Sequence, residues 1–194
     1  AHLLGYHLDP WEVAQELPFP DPAEYGRALR QDLKNGQTAA VLVLDAAGRA
    51  GLDPDQADVS LAGRSGTSLS AREDLEAAFS GIDLENTTVL LHAGAAALPA
   101  AALFFAHLRR SGADLARVRG SFGTDPLADA LAGATLPLEA AYDRLAALTA
   151  WLEAQTRPGD YRARSLVAWG ARWHEAGANA AQELAYTLGS AVQT

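Results

Sequence analysis

Four short apolar runs limit what this chain can fold into. Residues 38–44 (TAAVLVL), 86–92 (NTTVLLH), 117–122 (RVRGSF) and 165–169 (SLVAW) are strand-length, and each is followed by a stretch patterned as a helix. The first run is apolar almost without a break. That suits a parallel strand covered on both faces, where alternation is lost because neither face meets water. Strands alternating with helices build a parallel sheet through right-handed crossovers. The chain therefore reads as α/β, with about four β/α units. A doubly wound sheet and a barrel both fit this pattern. Residues 45–51 (DAAGRAG), after the first strand, do not spell G-x-G-x-x-G, so the dinucleotide-binding version loses ground.

Residues 1–20 hold Pro10, Pro18 and Pro20 and little periodicity. They read as an extended N-terminal arm, pinned by Trp11, Val13, Leu17 and Phe19, ahead of a domain over 21–194. Asp21-Pro22 supplies an N-cap and a first-turn proline, and Tyr25, Leu29 and Leu33 mark one helix face up to Asn35-Gly36. Residues 46–69 are glycine-rich and read mainly as loop. Ser70 and Glu73 have capping-box spacing ahead of Leu75, Ala78 and Phe79. A helix over 97–110 turns Leu98, Ala102, Phe105 and Leu108 inward, carries Arg109 and Arg110 against its dipole, and stops at Gly112. Asp125-Pro126 opens a short helix ending at Gly133. Leu138, Ala141, Leu145, Leu148 and Leu152 stripe a longer one that ends before Pro158-Gly159. After a loop at 170–174, a last helix is expected over 175–188.

Composition narrows the function classes. The net charge of −9 argues against the clustered basic face that nucleic acid needs. With no cysteine, disulfides, thiolate metal sites and cysteine nucleophiles are excluded, and a reducing cytoplasm is the expected setting. No apolar run nears the roughly 20 residues of a membrane span, and no secretory signal pattern is present. Methionine is absent, so Ala1 is not expected to be the initiator.

One stretch is more specific than the rest. His174-Glu175-Ala176-Gly177-Ala178, with Ala185-Tyr186-Thr187-Leu188 after it, resembles the matching loop and helix of the cobalamin-dependent acyl-CoA mutases, above all methylmalonyl-CoA mutase. Pro10-Trp11 with Gln15 and Phe19, Asn35-Gly36-Gln37, Gly51-Leu52-Asp53, Phe79-Ser80-Gly81-Ile82 with Leu84, Leu98-Pro99, and Gly120 with Asp125 and Leu127 fall in the family's order and spacing. The family's fold is a TIM barrel with a separate cobalamin-binding domain, so the resemblance implies a partial TIM-like barrel here.

The departures from the family pattern carry as much meaning. The family's catalytic tyrosine falls on Glu16, and the flanking arginines that contact coenzyme A fall on Asp9 and Ala14. The serine and threonine of the second strand fall on Leu90 and His92, the glutamine after the third on Gly123, and the catalytic histidine on Arg172. No D-x-H-x-x-G is present to supply the lower cobalamin ligand. The resemblance is thus closest to the small, non-catalytic mutase subunit. No cofactor is expected on this chain; cobalamin belongs on a separate domain or a partner chain. The expected partner is a catalytic mutase chain or a second copy, with an acyl-CoA as the alternative ligand and neither nucleic acid nor membrane. A self-assembling half barrel of unrelated role is a further alternative.

Three residues stand out as substrate-binding candidates. Asp125 is placed for the barrel mouth, though its position before Pro126 equally suits an N-cap. His174 suits a base or ligand, or a loop hydrogen bond. Glu175 suits a general acid, or a carboxylate stabilising the start of the last helix. Asp45, at the end of the first apolar run, is open to capping or catalysis. Residues 63–67 (GRSGT) lack the lysine and spacing of a phosphate loop, and His92 and His107 fit no metal spacing. A barrel needs eight units and about 250 residues, so the first and fourth strands are expected to leave open edges, covered by a remainder of the barrel that this sequence does not include, by another chain or by a second copy.

Overall fold

The computed structural model describes residues 11–53, 55–131, 136–156 and 162–193. Asp9, Pro10 and the helix stops at Gly133 and Pro158-Gly159 lie outside them. The elements in order are β1 (Ala14–Glu16), α1 (Pro22–Lys34), β2 (Ala39–Val43), α2 (Ala46–Arg49), α3 (Arg72–Ala78), β3 (Thr88–His92), α4 (Ala97–Ser111), β4 (Gly120–Thr124), α5 (Pro126–Leu131), α6 (Leu138–Gln155), β5 (Ala163–Leu166), α7 (Gly170–Glu175) and α8 (Ala180–Gln193).

All five strands are parallel and lie side by side in chain order, β1-β2-β3-β4-β5. A doubly wound sheet reverses direction part-way; this one never does. The sheet is wound one way, as a barrel segment is, and the fold is α/β with a partial β/α barrel. On β3, Val89 and Leu91 are buried against the helices while Leu90 and His92 turn to the other face.

The helix layer is stapled by aromatic rings. Tyr25 meets Phe79 edge-on at 6.2 Å, Phe79 meets Phe104 at 5.5 Å, Phe104 meets Phe122 at 5.4 Å, and Phe105 meets Trp151 at 5.4 Å. This chain of rings runs from α1 through α3 and α4 to β4 and α6, each pair worth about 1 kcal/mol beyond its buried area. The Tyr25 hydroxyl donates to the Val41 carbonyl at 2.9 Å, so its one polar atom is satisfied in the core.

Several expectations change. The strand count rises to five because Ala14–Glu16, inside the expected arm, pairs with Ala39–Val41. Glu12 anchors that edge by accepting from the Thr38 hydroxyl at 2.5 Å and the Thr88 hydroxyl at 2.7 Å. The sheet edges are therefore β1 and β5. Of the arm's apolar residues Leu17 is buried, while Trp11, Val13 and Phe19 are exposed. The helix before β3 is capped by Asp74, not Glu73: its carboxylate accepts from the Ser70 and Ala71 amides. On α4, Ala101 and Phe104 bury more deeply than Leu98 and Ala102. The third strand sits later than read, at Gly120–Thr124, and bulges between Ser121 and Thr124. Gly123 permits this, since a Cβ there would lie 1.4 Å from the Ser165 carbonyl oxygen. The expected loop over 170–174 is helical, as α7, and the last helix starts at Ala180 instead of Glu175. Gly177, at φ +99°, takes the left-handed turn that separates α7 from α8.

Candidate functional site

Parallel strands deliver their C-terminal ends to one face, where loops gather chemistry. Here that mouth collects Glu16 from β1, Arg49 from α2, His92 from β3, Thr124 and Asp125 from β4, Asp129 from α5, and Trp169 with Arg172 after β5. The His92 ring packs edge-on to Trp169 at 4.1 Å, and the Arg172 guanidinium lies 5.2 Å over the same indole. Such a cation over indole is worth about 1 kcal/mol, more when shielded from water. His92 Nδ1 stands 4.0 Å from the Glu16 carboxylate.

The electrostatics follow from burial and crowding. Burial, then the positive charges of Arg172 and Arg49, hold His92 down at about 4, so it is neutral near pH 7. Arg49 is lowered by burial and next by Arg172, against Asp45 and Glu16. Its guanidinium donates to the carbonyls of Leu44 and Ser65. Asp129 is raised, first by burial and also by Asp125, although it accepts from the Thr124 hydroxyl at 2.8 Å.

Asp125 is 2% exposed and fully occupied. Its carboxylate accepts from the Ala128 amide at 3.1 Å, the Trp169 amide at 2.9 Å and the Ser190 hydroxyl at 2.5 Å. It thus caps α5 and ties both the loop after β5 and α8 to β4. Asp45 is similar, accepting from Gly48, Gly63 and the Ser68 hydroxyl. That pulls the glycine-rich loop over 63–67 back onto β2.

His174 and Glu175 are not brought to Asp125. Their side chains are 71% and 69% exposed, on the last turn of α7. Glu175 closes a helix instead of opening one, because Gly177 breaks the helical run that had been expected to start there. It lies 3.6 Å from the Arg172 guanidinium, and His174 Nδ1 lies 3.3 Å from the Glu183 carboxylate.

The chain matches the family model for methylmalonyl-CoA mutase over residues 1–193. It belongs to the methylmalonyl-CoA mutase family. Among its relatives, the methylmalonyl-CoA mutase small subunit of Streptomyces virginiae is 33% identical over 184 residues, 94% of this chain and 25% of the relative. The large subunit of Porphyromonas gingivalis is 28% identical over 190 residues, 97% and 26%. The methylmalonyl-CoA mutase of Escherichia coli is 26% identical over 191 residues, again 97% and 26%. The chain spans about a quarter of the length of these relatives.

Within that family the mouth takes on meaning. Glu16, His92 and Arg172 are three positions where the resemblance places catalytic or substrate-facing residues of other members; in the fold His92 and Arg172 flank Trp169, and Glu16 stands beside His92. Sequence reading weighed Trp169 as core or interface and did not single out Arg49 or Asp129. The available signal was position, since each lies just past a strand end. His92 is wedged against Trp169, His107 lies by the α3–α4 cleft, and His174 Nδ1 faces Glu183. Among the described residues no three His, Asp or Glu side chains converge as metal ligands, and no helix is long and apolar enough to cross a membrane.

Proposed function

We propose that this chain is a non-catalytic, small-subunit-like member of the methylmalonyl-CoA mutase family that pairs with a catalytic, cobalamin-bearing chain in the cytoplasm. The observation carrying this reading is the composition of the mouth. A carboxylate (Glu16) and a guanidinium (Arg172) stand where the resemblance puts a catalytic tyrosine and histidine. Both are tied into contacts with His92, Trp169 and Glu175. An imidazole exchanges a proton near neutrality and a phenol donates a neutral hydrogen bond; a guanidinium keeps its proton and an ionised carboxylate only accepts. Gly123 supports the same reading, because the backbone around it has no room for the side chain of the family's glutamine.

Asp125, in this proposal, serves by holding three segments of the mouth together, while His174 and Glu175 remain exposed groups that a partner or an acyl-CoA reaches first. The decisive assay is methylmalonyl-CoA turnover with added adenosylcobalamin. The chain alone is expected to be inactive, and so is Glu16→Tyr/Arg172→His, which returns two family residues. Turnover by the unaltered chain would refute the reading. A saturable micromolar heat on titration with coenzyme A esters would favour the alternative, an acyl-CoA-binding mutase barrel fragment.

A further inference from the structure

The chain has three asparagines, Asn35, Asn86 and Asn179, and the fold holds them differently. Asn86 precedes the β-branched Thr87, and both ends of its amide are engaged. Its Nδ2 donates to the Asp83 carboxylate at 2.6 Å, and its Oδ1 accepts from the Arg117 guanidinium at 2.9 Å. Asn179 stands at the start of α8, its Oδ1 accepting from the Gln182 amide at 3.0 Å. Asn35 is exposed at the C-terminal end of α1 and precedes Gly36. Its Oδ1 meets the Gln31 side-chain amide at 3.4 Å, a long bond. Gly36 has φ +110°, the left-handed turn that ends the helix, and among the described residues only its chain neighbours come within 4 Å of where a Cβ would stand. The end is a Schellman closure. The Gln37 N–H donates to the Asp32 carbonyl at 3.0 Å, and the Gly36 N–H donates to the Leu33 carbonyl at 3.5 Å. The nitrogen that follows Asn35 is therefore unshielded and weakly held.

We propose that Asn35 is a site of spontaneous chemical modification, at which the Gly36 nitrogen attacks the carbonyl carbon of the Asn35 side chain. A bond forms between that nitrogen and Cγ as the Cγ–Nδ2 bond breaks. Ammonia leaves with the proton of the Gly36 N–H, and a cyclic imide remains. Water then opens the imide on either side of its nitrogen. Release of the side-chain carbonyl gives aspartate; release of the main-chain carbonyl gives isoaspartate. Ring closure needs Cβ and the Gly36 nitrogen eclipsed about the Cα–C bond, and at ψ 5° they are not. The reaction thus passes through opening of the helix end, the kind of local opening that costs a fold least. Glycine lets the turn rotate where a side chain would hinder it. Neither product suits the folded end of α1. Aspartate adds a negative charge where the helix dipole is already negative. Isoaspartate puts one more carbon into the main chain ahead of Gln37, which is buried with its side chain donating to the Ala39 carbonyl at 2.7 Å. The next residue, Thr38, holds the sheet edge. Its hydroxyl accepts from the Val13 amide at 2.8 Å, and its own amide donates to the Val13 carbonyl at 2.9 Å. Modification at Asn35 therefore loosens the pairing of β1 with β2, and β1 is the strand that carries Glu16 to the mouth.

The test ages the full chain in warm, mildly alkaline buffer, both folded and in urea. Peptide masses report the exchange of amide for acid, and enzymatic methyl transfer locates isoaspartate. In the folded chain, Asn35 should convert about tenfold faster, or more, than Asn86 or Asn179, because only its helix end opens so readily. The rate should rise in proportion to hydroxide, since the attacking nitrogen must lose its proton. Asn35→Gln, whose longer side chain requires a larger ring, should stay homogeneous and keep the wild-type melting temperature. In the aged wild type, hydrogen exchange should quicken in Ala14–Glu16 and Ala39–Val43 and stay unchanged in α4. A folded chain that keeps Asn35 intact for the time in which the chain in urea converts it fully overturns the inference. So does conversion of all three asparagines at equal rates. An aged chain that carries isoaspartate at residue 35, with unchanged exchange in Ala14–Glu16, overturns the link to β1.

Discussion

His92 should make this protein acid-labile by an amount that the geometry sets. Its side chain is 14% exposed, pressed against Trp169 and close to two guanidiniums, and it takes a proton at about 4 where an ordinary histidine does so at 6.5. The unfolded chain therefore binds this proton first. The stability contributed by neutral His92 is complete above about pH 6.5 and is lost as pH falls towards about 4. The shift corresponds to about 3 kcal/mol at the limit, and to about 2 kcal/mol between about pH 8 and pH 5. Urea unfolding of the wild type and of His92→Gln at those two pH values isolates the effect. The wild type should lose about 2 kcal/mol more than the variant on acidification. His107, also held down by burial, and Asp129, pushed up by burial, titrate in both proteins and cancel in the difference. Equal acid losses in the two proteins, or an NMR titration of His92 centred near its ordinary value, would refute the reasoning.

Two further substitutions probe the frame of the mouth. Gly123→Ala places a methyl group 1.4 Å from the Ser165 carbonyl oxygen, so β4 and β5 must separate; a loss of roughly 4 kcal/mol or of folding altogether is expected in a thermal melt. A stable, wild-type-like Gly123→Ala protein would mean that the bulge at Ser121–Thr124 is misplaced. Asp125→Ala strands the Ala128 and Trp169 amides and the Ser190 hydroxyl, and should cost at least about 3 kcal/mol in urea unfolding. Asp125→Asn, which keeps one acceptor oxygen, should lose clearly less. A neutral Asp125→Ala would remove its role as the staple between β4, the loop after β5 and α8.

Much of this architecture was legible before the fold. The runs around β2 and β3 were plain because buried parallel strands need continuous or strongly apolar stretches. Helices α1 and α6 announced themselves by caps and by a stripe at three-and-four spacing. Asp125 was readable as a cap from Asp-Pro alone, and the structure adds the Trp169 and Ser190 bonds that come from 44 and 65 residues away. Strand β1 was hidden because Ala-Gln-Glu has no strand pattern of its own; pairing with β2 and the Glu12 hydrogen bonds make it one. The ending was hidden because Gly170–Glu175 carries no apolar stripe and reads as loop, and because the alanine-rich run after it reads as helix from Glu175 until Gly177 takes a left-handed turn.

The sequence by itself determined the class of fold and the family resemblance, because those depend on local pattern and on which side chains are present. Only the tertiary structure decided between a doubly wound sheet and a barrel segment, since the order of strands is a matter of long-range pairing. It also decided that Glu16, His92, Trp169 and Arg172, spread from one end of the chain to the other, meet at a single mouth. Parallel strands bring their C-terminal ends together whatever their separation in sequence, and no local signal records which ends will touch.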